Sequence, residues 1–350
     1  MRVPGEVMAH SVYFLPPVPE RPKVRIRPVF LPFQGCPRPC IFCAQHEQTG
    51  GPALPLHSLL EELDISLRQA LGRSKGPMEL AFYGGTFTAM PVADQEACLA
   101  LARRFKDLGL ISRVRCSTRP DCVSVARLAH LKERGLDMVE LGIQTFNDKA
   151  LAVSRPGCTR AIHGAACAMV REAGLALGLQ LMPGIPGTDE NDFRNDIETA
   201  VALRPETLRL YPCLVIEGTK LAALWRAGRY TPWELGPTIR ILAWALMKAE
   251  RAGIAVIRLG LAPESALEKA VLAGPQHASL GSRVRGLALF NLVSAEVATL
   301  GLPPRLLTLP RRLCGEFSGF KGELLPQYEA LGLPPEKVRW WSRAGCELSA

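Results

Sequence analysis

The chain has 350 residues, 48% of them hydrophobic and 21% charged, with a formal net charge of +9. That is enough apolar material for one large α/β domain with an appendage, or for two domains, and it excludes a disordered chain. No apolar stretch reaches the length of a membrane span and the first 22 residues carry no export-signal run, so a cytoplasmic enzyme without membrane contact is expected, its eleven cysteines reduced or metal-bound rather than paired.

Residues 1–22 hold Pro16, Pro17, Pro19 and Pro22, which oppose helix, and are expected to form an extended N-terminal arm. A β-rich run at 25–31 leads directly into Phe33-Gln-Gly-Cys-Pro-Arg-Pro-Cys-Ile-Phe-Cys43. Its thiols, Cys36, Cys40 and Cys43, follow a C-x3-C-x2-C spacing with Phe42 just before the third. A closed four-iron cluster takes four cysteines, so three leave one iron open to a ligand. A zinc site would need a fourth ligand, for which His46 is the local candidate. Cys98, Cys116, Cys122, Cys158, Cys167 and Cys213 lie among small or apolar residues and read as buried structural thiols; Cys314 and Cys346 are read the same way.

Helical periodicity follows at 56–71, a strand at 79–83 ending in Gly84-Gly85, and a helix at 92–108. A strand at 114–117, a helix at 123–134, a strand at 138–143, a helix at 159–173 and a strand at 175–182 continue the pattern. Residues 183–187, Pro-Gly-Ile-Pro-Gly, break it. A helix at 192–202 and a strand at 207–211 complete six strand–helix alternations. Such alternation implies right-handed crossovers and a parallel sheet, here a partial (β/α)6 TIM-like barrel over residues 23–260. A helix at 237–252 and an apolar strand at 255–260 come next, and 261–350 reads as a C-terminal extension. In sheets of this kind the chemistry gathers at the C-terminal strand ends. The cysteine loop, Gly84-Gly85-Thr86, Ser117-Thr118-Arg119, Gln144 and the 183–187 turn all fall there.

The thiol trio with Phe42, the Gly84-Gly85-Thr86-Phe87 run and the glycines at 184 and 187 resemble the radical S-adenosylmethionine superfamily. The resemblance implies a 4Fe-4S cluster on Cys36, Cys40 and Cys43, whose open iron binds S-adenosylmethionine. One electron from a flavodoxin- or ferredoxin-type donor then cleaves it to methionine and a 5′-deoxyadenosyl radical. It also implies that Phe42, Gly84, Gly85, Thr86, Ser117, Arg119, Gln144 and Arg155 contact that cofactor. The glycines would allow close backbone approach, and the plain alternative for both arginines is a surface ion pair. No catalytic acid, base or radical relay stands out; Glu140 and Glu217 read as structural ion pairs.

Arg119-Pro-Asp121, Glu140-Leu-Gly-Ile-Gln-Thr-Phe146, Leu210-Tyr-Pro-Cys-Leu-Val-Ile-Glu-Gly-Thr219 and the run 256–261 resemble, more closely, the radical domain of Elongator catalytic subunits. Those act on wobble uridine in tRNA, so tRNA is the implied partner; their first two cysteines are spaced more widely. They continue into an acetyltransferase domain, for which the sequence to Ala350 leaves no length, and no acetyl-CoA is expected. Radical chemistry on a small metabolite is one alternative, as in oxygen-independent coproporphyrinogen oxidase. That enzyme carries a further cysteine two positions after its trio, where this chain has Gln45. An iron–sulfur sensor or binding protein is the other. The basic balance favours polyanions such as RNA, against which stands the low aromatic content of 6%.

Overall fold

The computed structural model describes residues 11–17, 24–49, 54–73, 76–155, 157–261 and 264–350. It divides into two compact units that are discontinuous in sequence. One comprises 22–238 and 254–276; the other comprises 1–21, 239–253 and 277–350. Neither coincides with the continuous segments 23–260 and 261–350 expected from the sequence.

In the larger unit, the apolar runs become seven parallel strands: Arg25–Leu31, Met78–Gly84, Ile111–Thr118, Met138–Gln144, Ala176–Leu181, Thr207–Leu210 and Ala255–Leu259. They pair in chain order, each with the next. Among the described residues the first and seventh pair on one side only, so the sheet is an open partial barrel. The expected six strands thus gain a seventh: the run at 255–260, read apart from the repeat, lies beside Thr207–Leu210. Met138–Gln144 is buried along its whole length, as a strand covered on both faces should be. The helices Leu56–Gly72, Val92–Asp107, Val125–Glu133, Arg160–Glu172 and Glu190–Ala202 fall close to their expected spans. Asp189 starts the last with a reciprocal capping box to Asp192.

The smaller unit holds a four-stranded sheet. Ser11–Phe14 lies antiparallel to Cys346–Ser349, which lies antiparallel to Leu306–Pro310, which runs parallel to Val338–Trp341. Residues 11–14 of the expected extended arm are therefore a paired strand; residues 1–10 and 18–23 lie outside the described part. One face of this sheet (Phe14, Leu307, Leu309, Cys346, Leu348) packs with Leu289, Val293, Phe317 and Tyr328 into a core of its own. Alternation along each strand turns the other residues to the opposite face.

Candidate active site

The cysteine loop is fastened to the second strand by backbone. Gly85 N donates to Leu31 O at 2.8 Å and Thr86 N to Gln34 O at 2.7 Å. A Cβ on Gly85 would run into the carbonyls of Gln34 and Leu31, and Gly84 has φ +97° against the Leu31 backbone. The loop thus gives both glycines a reason to be there: they admit the backbone of their own chain. Gln45, buried just after the third thiol, acts as a clamp. Its Oε1 accepts from Phe33 N and its Nε2 donates to Gly84 O at 2.9 Å. Ile41 N donates to Ser154 O, and Leu221 N to Ile41 O.

Around the thiols the strand ends converge. Thr86 Oγ1 lies 3.2 Å from Cys36 Sγ. Arg155 Nε donates to Cys40 Sγ at 3.2 Å, and its Nη1 to Gly142 O. Arg119 holds Asp121 in a two-pronged pair at 2.9 and 2.6 Å, and its Nη1 donates to Arg38 O at 3.0 Å with Cys40 Sγ at 3.9 Å. Both arginines are buried, not surface residues. Burial would lift the Asp121 carboxyl, but the Arg119 hydrogen bonds and charge outweigh it and hold it below the usual range. Burial pushes the Cys43 thiol up to about 12, with Cys40 and Cys36 adding to the shift. Cys36 is likewise raised by burial, with Thr86 opposing.

These surroundings fit a ligand that is electron-poor at the thiols. Metal ligation requires thiolates, and two guanidinium groups stand beside Cys40 to offset the charge of a thiolate-bound group. No three His, Cys, Asp or Glu side chains among the described residues converge as ligands of a single ion. Thiols on separate corners of a cluster stand further apart than that. His46, the candidate for a zinc set, has its ring packed 4.9 Å from that of Phe33.

Gln144 ends the fourth strand at φ +68°, a left-handed conformation costly for a side-chain-bearing residue. Its Oε1 is buried without a hydrogen-bond partner. A buried acceptor at a strained strand end is what a missing ligand donor would satisfy. Ser117 is buried one residue before the end of the third strand. Phe42 packs half-buried on the cluster of Ile41, Ile185, Val215, Leu221 and Tyr230.

Residues 30–200 match the family model described as Radical SAM superfamily, and 205–286 match its Radical_SAM C-terminal domain. The chain belongs to the radical S-adenosylmethionine superfamily. It is 27% identical over 249 residues to a protein named tRNA uridine(34) acetyltransferase from Methanocaldococcus jannaschii, covering 60% of this chain and 46% of that one. It is 28% identical to Elongator complex protein 3 of Drosophila melanogaster, over 49% of this chain and 35% of that one. The chain therefore spans about half or less of the length of these curated relatives. Among solved structures, the Elp3 of Methanocaldococcus infernus aligns with a TM-score of 0.58 at 20% identity, over 81% of this chain and 64% of that one. Coproporphyrinogen III oxidase of Escherichia coli aligns at 0.50 and 18%, over 77% and 59%. Both show the fold: a curled parallel half-barrel of the radical S-adenosylmethionine kind. Enzymes of this class use a 4Fe-4S cluster and S-adenosylmethionine.

Three site features escaped the sequence reading. Gln45 served there only as a missing cysteine. Asp121 was noted within a motif, without its role as the partner of Arg119. Cys158, read as a structural thiol, is buried with its Sγ 4.0 Å from Arg119 Nη2. Two isolated cysteines part company: Cys346 is buried as expected, whereas Cys314 is exposed. Glu140 and Glu217 are ion-paired as expected, Glu140 buried between Arg115 and Arg209 and Glu217 on the surface with Arg226. No described helix is long and apolar enough to cross a membrane.

Proposed function

We propose that Cys36, Cys40 and Cys43 hold a 4Fe-4S cluster and that the strand ends around them seat S-adenosylmethionine, for modification of an RNA of the tRNA class. When bound, that pair supplies reductive cleavage to a 5′-deoxyadenosyl radical. The observation that carries the assignment is the convergence of Thr86, Arg119 and Arg155 on the thiol loop at the C-terminal strand ends, with the unsatisfied Gln144 ending the fourth strand.

The chain's own residues have distinct tasks in this reading. Gln45 and the Gly84-Gly85 backbone hold the loop in register with the sheet. Thr86 hydrogen-bonds Cys36, and Arg155 and Arg119 offset negative charge at Cys40. Gln144 Oε1 accepts from the cofactor, and Ser117 lies in the next strand over. Phe42 closes the loop against the apolar cluster beneath it and keeps water from the site. A small reducing protein of the flavodoxin or ferredoxin type delivers the electron. RNA as substrate is supported by the name of the relative called tRNA uridine(34) acetyltransferase and by the +9 charge. Acetyl transfer forms no part of the proposal.

The test is anaerobic reconstitution followed by chemical reduction. The protein should bind iron and sulfide, release 5′-deoxyadenosine from S-adenosylmethionine, and change the mass of a tRNA nucleoside. Cys40→Ala should abolish cluster absorbance and cleavage together. Stoichiometric iron and sulfide in that variant would refute the ligand assignment. Cleavage with every tRNA nucleoside unchanged would refute the substrate class.

A further inference from the structure

The scarcity of aromatics argues against base stacking only if the few present are dispersed. In the smaller unit they are not. The solvent face of its sheet carries Ser11 and Tyr13, then Glu347 and Ser349, then Leu306 and Thr308, then Arg339 and Trp341, in strand order across the sheet. Tyr13 is 58% exposed. Its ring lies over Gly345, where a Cβ would meet ring carbon Cε2 at 2.8 Å. Trp341 lies at a centroid distance of 6.5 Å from it, tilted by 48°, and is fixed by a 2.8 Å bond from Nε1 to Gly345 O. Arg343, exposed, stacks its guanidinium 5.0 Å from the Trp341 ring centroid. Arg339 is exposed on the same face. Glu347 is the one carboxylate among these strand residues and is only partly exposed.

Two neighbouring rings at an open sheet face, one of them capped by arginine, form a stacking surface with phosphate-binding charge beside it. Bases are free to stack on such a surface only where they are unpaired. Among the described residues the face also carries Leu306, and Leu15 follows Tyr13 exposed, but the two arginines beside the rings favour a partner that offers phosphates along with flat rings. The overall charge of +9 complements a polyanion.

We propose that this face, built on Tyr13 and Trp341 with Arg339 and Arg343, is a docking platform for a single-stranded segment of the RNA substrate. The inference rests on the RNA-modifying reading above and adds to it a surface outside the strand-end site. Bases stack on the two rings, and phosphates lie against the two guanidinium groups.

The experiment is a fluorescence-anisotropy titration of the reconstituted full chain with a labelled mixed-sequence single-stranded RNA, competed by an unlabelled RNA duplex. Tyr13→Ala and Trp341→Ala should each weaken binding by about tenfold, the loss expected for one base–ring stack. Tyr13→Phe and Trp341→Phe, which keep a ring, should retain binding. Arg343→Ala should weaken it and flatten the salt dependence by about 0.7 in log–log slope. Release of 5′-deoxyadenosine should be the same in all variants. Thermal melting checks the fold, and Tyr13→Ala, the more exposed position, serves should Trp341→Ala unfold. Unchanged affinity in both alanine variants would overturn the platform while leaving RNA as substrate intact. Duplex competing as well as single strand would overturn it too. A wild-type protein that cleaves S-adenosylmethionine but binds no RNA would overturn the platform and the substrate reading together.

Discussion

Of the larger unit's carboxylates that pair with arginine, Glu140 and Asp121 differ most in setting. Glu140 sits within the fourth strand with its side chain 1% exposed. It accepts from Tyr83 OH at 2.6 Å and from Arg115 at 3.1 Å through one oxygen, and from Arg209 through the other. Arg209 also stacks over the Tyr83 ring and donates to Tyr211 OH. Asp121 follows the end of the third strand, its side chain 23% exposed, and serves chiefly to hold Arg119 beside Cys40. The mid-strand cluster answers both oxygens of Glu140, while Arg115 Nε beside it lacks a hydrogen bond. The strand-end cluster sets Thr86 at Cys36 and Arg155 at Cys40 and leaves the Gln144 acceptor without a partner. In one fold, one polar network is centred on a carboxylate answered at both oxygens, and the other leaves an acceptor for the proposed cofactor.

Removing each carboxylate should tell the two networks apart. Glu140→Ala leaves Arg209 buried without a carboxylate and Arg115 with Glu79 alone, and about 3–5 kcal/mol of stability should be lost. Denaturant unfolding measures this, and a loss below about 1 kcal/mol would contradict this account of Glu140.

Next in size is a pH effect on either side of Phe146. His163, buried, has its ring 6.0 Å from that of Phe146. Burial and the nearby Arg155 charge lower it to about 4, against the Thr145 carbonyl, Asp121 and Asp148. The unfolded chain therefore takes up a proton between pH 6.5 and 4 that the folded chain refuses, and this group costs about 3 kcal/mol of stability on acidification. Asp196, which accepts from Phe146 N at 2.7 Å, is raised by burial to about 6. Its folded form binds a proton first, so acidification from pH 6 to 3.8 restores about 3 kcal/mol. The two oppose each other. His163→Leu should make the protein gain stability as pH falls from 6.5 to 4.5, and Asp196→Asn should make it lose more than wild type. Parallel pH profiles for wild type and both variants would refute these shifts.

The smallest stability effect belongs to Asp121→Asn: about 1 kcal/mol or less, because the pair reaches solvent. Its effect on chemistry should be greater, a roughly 10–100-fold slower release of 5′-deoxyadenosine, since Arg119 loses the partner that orients it toward Cys40. Equal rates would show that Arg119 needs no such anchor.

Much of the larger unit was legible because its strands are continuous apolar runs between helices of clear 3.6 period, as at 79–83 and 138–143. The thiol spacing was legible for the same local reason. Residues that act at a distance were not. Gln45 reaches back to Phe33 and across to Gly84, and nothing in its neighbours announces that. Arg155 meets Cys40 across 115 positions. The strand at 11–14 lies among prolines and has meaning only through a partner near the other end of the sequence. Gly84 and Gly85 were found for the right place in the chain, but the loop backbone they accommodate is visible only once the first two strands are paired.

That distant pairing orders events during synthesis. Ser11–Phe14 is translated long before the segment it lies against, Cys346–Ser349. Residues 22–238 and 254–276 of the larger unit are complete well before then. The half-barrel can thus assemble on the ribosome while the leading strand waits unpaired. Until Cys346–Ser349 is made, residues 11–14 expose unpaired backbone, which Pro16 and Pro17 on the C-terminal side help to guard.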